Sequence, residues 1–142
     1  EMFVIDALLG NWDRHNGNWG FLYNQDTDEI RIAPIFDCGS CLFPQMDEVL
    51  AKKVLKDKTQ INARIYDFPT SAILYKGKRI NYYKFIKSHE YVECDKAIER
   101  IKNKIDLNKI NKLIKDVQCI SEIQKNFLIT ILKKRYETLF FE

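Results

Sequence analysis

The chain has 142 residues, 46% hydrophobic, 30% charged and 13% aromatic, which is enough to bury roughly 70% of its unfolded surface around a packed core. Five Gly and three Pro are too few for a collagenous, linker-like or disordered chain, and no apolar stretch approaches the ~20 residues of a membrane span. The net charge of +3 is unevenly spread, with nine acidic and two basic side chains in residues 1–50 against eleven acidic and twenty-one basic in residues 51–142.

Residues 2–9 (MFVIDALL) read as the end of a helix stopped near Gly10. Because this apolar run starts at once, with no cap before it, the chain is expected to be a fragment or the C-terminal part of a longer protein. Residues 19–23 (WGFLY) and 30–35 (IRIAPI) predict two short strands around a polar turn, Asn24 to Glu29, and hence a hairpin. Residues 46–56 predict a helix with acids in its first turn and lysines in its last. Residues 57–80 carry the weakest pattern, in which the Lys76-Gly77-Lys78 turn joins two edge strands, Ala72–Tyr75 and Arg79–Ile80.

The remainder reads as helical. Asn81 caps a short helix running through Ser88, and a second helix aligns Ala97, Ile98, Ile101 and Ile105. A third aligns Leu107, Ile110, Leu113, Ile114 and Val117, and a fourth opens on the capping box Ser121/Gln124 and aligns Ile123, Phe127, Leu128, Ile131, Leu132 and Leu139. The chain is therefore expected to be mainly α with a small β-hairpin, one helical domain over residues 1–142. A catalytic and metal-binding segment is expected at 11–39 and a helical remainder at 46–142.

Cys38 and Cys41 have zinc-knuckle spacing, but Cys94 and Cys119 supply no second close pair. Reduced structural thiols and a cytoplasmic location are the expectation. The acidic part can host metal ions and the basic remainder favours phosphates, although lysines solvating helix faces satisfy the same count. A helical nucleic-acid binder using the basic segment is the weakest reading, since no helix-turn-helix signature accompanies it.

The chemistry concentrates in residues 11–20, NWDRHNGNWG, a loop that offers its polar side chains to a ligand, and in Phe36-Asp37-Cys38-Gly39 beyond the hairpin. A tight hairpin brings these two loops side by side. Phosphoryl transfer needs this set: one carboxylate on the attacking hydroxyl, and an Asn oxygen with a second carboxylate on magnesium. The interval from Asp13 to Asn18 matches the kinase Asp-x-x-x-x-Asn spacing, and Asp37 with Gly39 matches Asp-Phe-Gly. Taken singly, Asp13 as a turn residue, Asn18 as a turn Asn and Asp37 as a helix cap would each be ordinary structural choices.

The run Leu9 to Leu22, with Ala33-Pro34-Ile35-Phe36-Asp37-Cys38-Gly39, resembles the HipA-like serine/threonine kinases of bacteria, in the branch with Asp-Arg-His-Asn-Gly-Asn loops. The loop is also similar to that of phosphoinositide kinases. The resemblance implies the C-lobe of a protein-kinase-like α+β fold, with the N-lobe absent from this chain and supplied by upstream sequence or a separate subunit. It implies ATP- and Mg2+-dependent transfer to a Ser or Thr hydroxyl of a protein substrate, with Asp13 as the base and Asn18 and Asp37 as magnesium ligands. His15, Asn16 and Gly17 would lie beside the nucleotide phosphates. His15 is the rival base, as in the phosphoinositide kinases. An antitoxin-type partner is a further implication, and the competing reading is an inactive kinase remnant serving as an interaction module.

Overall fold

In a computed structural model, which describes residues 1–142, the last helix organises the chain. The helices are α1 (Met2–Leu9), α2 (Glu48–Leu55), α3 (Lys58–Tyr66), α4 (Tyr82–Lys87), α5 (Val92–Ile101), α6 (Leu107–Asp116) and α7 (Glu122–Phe140). The strands are β1 (Phe21–Asn24), β2 (Glu29–Ile32), β3 (Thr70–Tyr75) and β4 (Lys78–Asn81). They form two antiparallel hairpins, β1–β2 and β3–β4, so the chain is mainly α with small β additions.

Short polar side chains set the helix starts, because each satisfies backbone N–H groups that a first helical turn leaves unpaired. Asp47 accepts from the N–H of Leu50 at 2.7 Å to open α2. Asp57 accepts from those of Thr59 and Gln60 at 2.9 and 3.3 Å to open α3. Asn81 accepts from the N–H of Lys84 at 2.9 Å to open α4. At α7 the expected capping box is complete: Ser121 Oγ accepts from the N–H of Gln124 at 3.3 Å, and Gln124 Oε1 from the N–H of Ser121 at 2.9 Å. Gln124 Nε2 also donates to the Met46 carbonyl at 2.8 Å, fastening the start of α7 to the approach to α2.

Two cores share α7. The larger joins Val4, Ala7 and Leu8 of α1 to Ile86 of α4, Ile98 of α5 and Leu132 and Leu139 of α7. The smaller joins Met46, Ala51 and Val54 to Phe127 and Ile131. Leu128 packs half-buried against both. Helix α1 ends where expected, with Gly10 in the left-handed region at φ 69°, and a Cβ there would collide with the guanidinium of Arg135.

Several expectations are corrected. Helix α3 falls in the weakly patterned segment 57–80, where no helix was expected, because its sequence KTQINARIY is mostly polar and the side chain it buries is Arg64. Strand β2 stops at Ile32, short of Pro34, and Ile105 lies past α5, beyond a 3-10 turn over Lys102–Lys104. Of the α6 stripe only Ile114 is buried, and Leu113 is 69% exposed. The β1–β2 hairpin, in register from Phe21↔Ile32 to Asn24↔Glu29, buries neither face, since every residue of both strands is exposed.

Phe127 is fully enclosed, so Phe127→Ala is expected to lower the unfolding free energy by about 3–5 kcal/mol. Leu128→Ala, at the half-buried neighbour, should lower it by visibly less. Urea unfolding of the two variants measures the difference.

Candidate functional site

An acidic side chain inside an apolar helix needs a partner, because an unpaired buried carboxylate is strongly disfavoured. Asp6 of α1 is 2% exposed and Arg14 is 1% exposed. The two meet bidentately, Arg14 Nε donating to Asp6 Oδ2 at 2.9 Å and Nη2 to Oδ1 at 3.1 Å. The hydrogen bond to Asp6 holds the guanidinium well above its usual range, so it stays charged. Asn11 Nδ2 adds a bond to Asp6 Oδ1 at 3.0 Å.

The outer nitrogen of the same guanidinium reaches the candidate site. Arg14 Nη1 donates to the carbonyls of Asn18 and Phe36, each at 2.6 Å, while Nη2 lies 3.7 Å from Cys38 Sγ. One side chain thus ties α1, the loop after it and the segment beyond the hairpin. The loop is fixed from behind as well: Tyr82 Oη donates to the Asn11 carbonyl at 2.6 Å, and burial pushes that phenol up to about 12.

The loop expected to be irregular contains one 3-10 turn, Asn16–Asn18. Asn11 Oδ1 accepts from the N–H of Asp13 at 3.1 Å, and Asn18 Nδ2 donates to the Asp13 carbonyl at 2.9 Å. That bond commits the amide nitrogen of Asn18 and leaves its Oδ1 as the free acceptor end. His15 Nδ1 accepts from the N–H of Gly17 at 3.0 Å, so the proton of a neutral ring sits on Nε2.

Asn18 is buried, Asp13 half-buried, and His15, Asn16, Gly17 and Asp37 are exposed. Asp37 takes a left-handed backbone at φ 52°, a conformation that Asp tolerates better than most residues and that recurs at functional sites. It caps no helix, because Asp47 opens α2. Asn18 is hydrogen-bonded to Asp13, and Asn18 and the residue before Asp37 share Arg14 Nη1. The carboxylates of Asp13 and Asp37 take no part in any salt bridge or hydrogen bond. No group of three His, Cys, Asp or Glu side chains assembles in the chain, which leaves no zinc-type cluster. The available donors are hard oxygens, Asn18 Oδ1 and carboxylate oxygens, the kind magnesium takes while keeping waters and phosphates in its remaining positions.

The sequence reading missed Asp6, Asn11, Arg14 and Tyr82, which hold the site without standing in it. One signal was available: Asp6 is the only charged residue in the run 2–9, and such a residue implies a buried partner.

Comparison with known proteins adds to this geometry. No family model matches the chain. The serine/threonine-protein kinase CtkA of Helicobacter pylori is 52% identical over 136 residues, which is 95% of this chain and 42% of that protein. The chain therefore spans less than half the length of the curated relative it matches. A crystal structure of a Helicobacter pylori proinflammatory kinase, CtkA, superposes with a TM-score of 0.86 at 52% identity, covering 94% of this chain and 47% of that one. At this identity the chain is a homologue of that part of CtkA and shares its fold.

Arg14→Met would strand Asp6 as an unpaired buried charge, and is expected to lower stability by about 3–5 kcal/mol. The double variant Asp6→Leu/Arg14→Met should recover part of that loss, because neither charge then remains. A double-mutant cycle in urea measures the coupling.

Proposed function

We propose that this chain is the metal-binding and catalytic half of a HipA-like serine/threonine kinase, transferring phosphate from ATP to a protein hydroxyl. The observation that carries the proposal is the unpaired state of Asp13, Asn18 Oδ1 and Asp37 within a network where the neighbouring buried polar groups are bonded. Homology to CtkA, a serine/threonine-protein kinase, supports it independently.

Asn18 and Asp37 are the residues suited to hold magnesium, which when bound would neutralise charge on the ATP triphosphate. Asn18 would present Oδ1 because its amide nitrogen is committed to the Asp13 carbonyl. Asp37 would present its carboxylate from a backbone tied at Phe36 to Arg14. Asp13 would orient the acceptor hydroxyl and take its proton, since its carboxylate is free to accept. His15 carries its proton on Nε2 when Nδ1 accepts from Gly17, which suits it to donate to a phosphate oxygen rather than to act as base. Asn16 and Gly17 share that exposed rim with it.

The exposed hairpin supports a second body in the working enzyme. Phe21, Ile30 and Ile32 are 62%, 69% and 70% exposed, and exposed apolar surface of this kind marks an interface. An N-lobe, from the same polypeptide or a separate subunit, is the occupant the kinase reading requires.

In the full-length protein with saturating magnesium, Asp37→Ala should abolish transfer. Asp13→Ala should lower turnover by about a hundredfold or more with ATP affinity nearly unchanged, and His15→Ala should be milder. Single-turnover kinetics and nucleotide binding on each variant check this. A dead His15→Ala beside an active Asp13→Ala would move the base to His15, full activity in all three would overturn the site assignment, and no transfer by the unsubstituted protein would favour an interaction module.

A further inference from the structure

Arg64 of α3 is 7% exposed, yet it has no carboxylate partner. Its Nη1 donates to the Gln60 carbonyl at 2.9 Å and to Gln60 Oε1 at 3.0 Å, while its Nε is buried with no partner at all. Burial pushes its pKa below the usual guanidinium range, and no anion opposes that shift. The rings of Phe43 and Phe68 lie 5.9 and 5.2 Å from its guanidinium carbon, which offsets part of the desolvation but satisfies no N–H.

A second cation compounds the deficit. Arg135 stacks on the same Phe43 ring at 5.0 Å, is 3% exposed, and bonds only to carbonyls, those of Leu8, Arg64 and Phe68. Burial pushes its pKa down to about 10. Two buried guanidiniums therefore flank Phe43 without a counter-charge, whereas buried charges in folded proteins are ordinarily paired.

Arg64 opens onto a pocket of about 270 Å³, lined also by Trp12, Phe43, Pro44, Gln45, Met46 and Leu50, with no carboxylate in its lining. That volume falls below the roughly 300–1,000 Å³ of drug-sized ligand sites, which suits one side chain rather than a nucleotide. Trp12 and Leu50 are 43% and 39% exposed, so the pocket offers open apolar wall to a ligand. An inorganic ion has no use for apolar walls, whereas the stem of an anionic side chain does. Trp12 immediately precedes Asp13, so the pocket shares a wall with the candidate catalytic loop.

We infer that the Arg64 pocket is a binding site for a single oxyanion-bearing side chain, phosphoserine or glutamate, on a peptide lying beside the catalytic loop. Assigning the peptide as the kinase's own acceptor rests on the function proposed above; the binding itself does not. The shared chemistry is an oxyanion accepting from Arg64 Nη2, the guanidinium nitrogen that has no protein partner and is not sealed from the surface, with the peptide packed on Trp12 and Leu50.

The test is calorimetric titration of the full-length protein in EDTA without nucleotide, so that neither magnesium nor ATP contributes. The probes are Ala-Ala-phosphoserine-Ala-Ala, its glutamate and serine counterparts, and inorganic phosphate. At least one anionic peptide should bind about tenfold or more tightly than the serine peptide, and more tightly than inorganic phosphate. Arg64→Met should remove that preference while leaving the melting temperature unchanged or raised, since it deletes an uncompensated buried charge. Should Arg64→Met fail to fold, Leu50→Trp, which fills the mouth from a partly exposed position, should remove the preference instead. Equal binding of all three peptides, inorganic phosphate binding as tightly as the best peptide, or a preference that survives the folded variant overturns the inference. Loss of transfer activity with the peptide preference intact strikes the kinase reading alone.

Discussion

The buried pair of Asp6 and Arg14 is the constraint on which the candidate site depends. Placing two charges in an apolar interior is unfavourable in itself, and a pair of apolar residues would serve stability as well or better. What the pair provides is position. Arg14 spends two nitrogens on Asp6 and directs the third at the carbonyls of Asn18 and Phe36. A hydrophobic substitute could fill the space but could not bind two chain segments at once. The polar residues nearest the proposed chemistry are thereby set by one rigid fork whose own orientation is fixed by α1.

The helical body secures that fork from the opposite side. Tyr82 of α4 reaches the Asn11 carbonyl, and Arg135 of α7 reaches the Leu8 carbonyl beside Gly10, where only a glycine fits. The end of α1 is therefore held by α4 and α7, and the loop that follows inherits their rigidity. By contrast, the β1–β2 hairpin buries neither face and makes its ladder only with itself. The molecule thus combines a braced candidate loop with a hairpin exposed on both faces.

Much of this was legible in the sequence, for identifiable reasons. Gly10, Asn81 and the Ser121/Gln124 box act locally, through backbone conformation and capping, so their elements appear where read. The meeting of the loop at 13–18 with the segment at 36–38, joined by Arg14 through the Asn18 and Phe36 carbonyls, was legible because a short hairpin has few ways to connect its ends. Helix α3 was not legible, since its buried side chain is a charged Arg64 and hydrophobic periodicity carries no trace of it. The exposure of Leu113 was not legible either, because an apolar stripe predicts a buried face only where another element covers it. The Asp6–Arg14 fork was hinted at by one acid in an apolar run, but its second role, bridging Asn18 and Phe36, depends on three-dimensional closure that no local pattern records.

The most direct measurement is a crystal structure of the full-length protein with magnesium and a non-hydrolysable ATP analogue. The account predicts magnesium at about 2.1 Å from Asn18 Oδ1 and from an Asp37 carboxylate oxygen, with Arg14 still bridging the Asn18 and Phe36 carbonyls and paired to Asp6. Magnesium held by other residues, or an Arg14 released from either carbonyl when the nucleotide is bound, would contradict it.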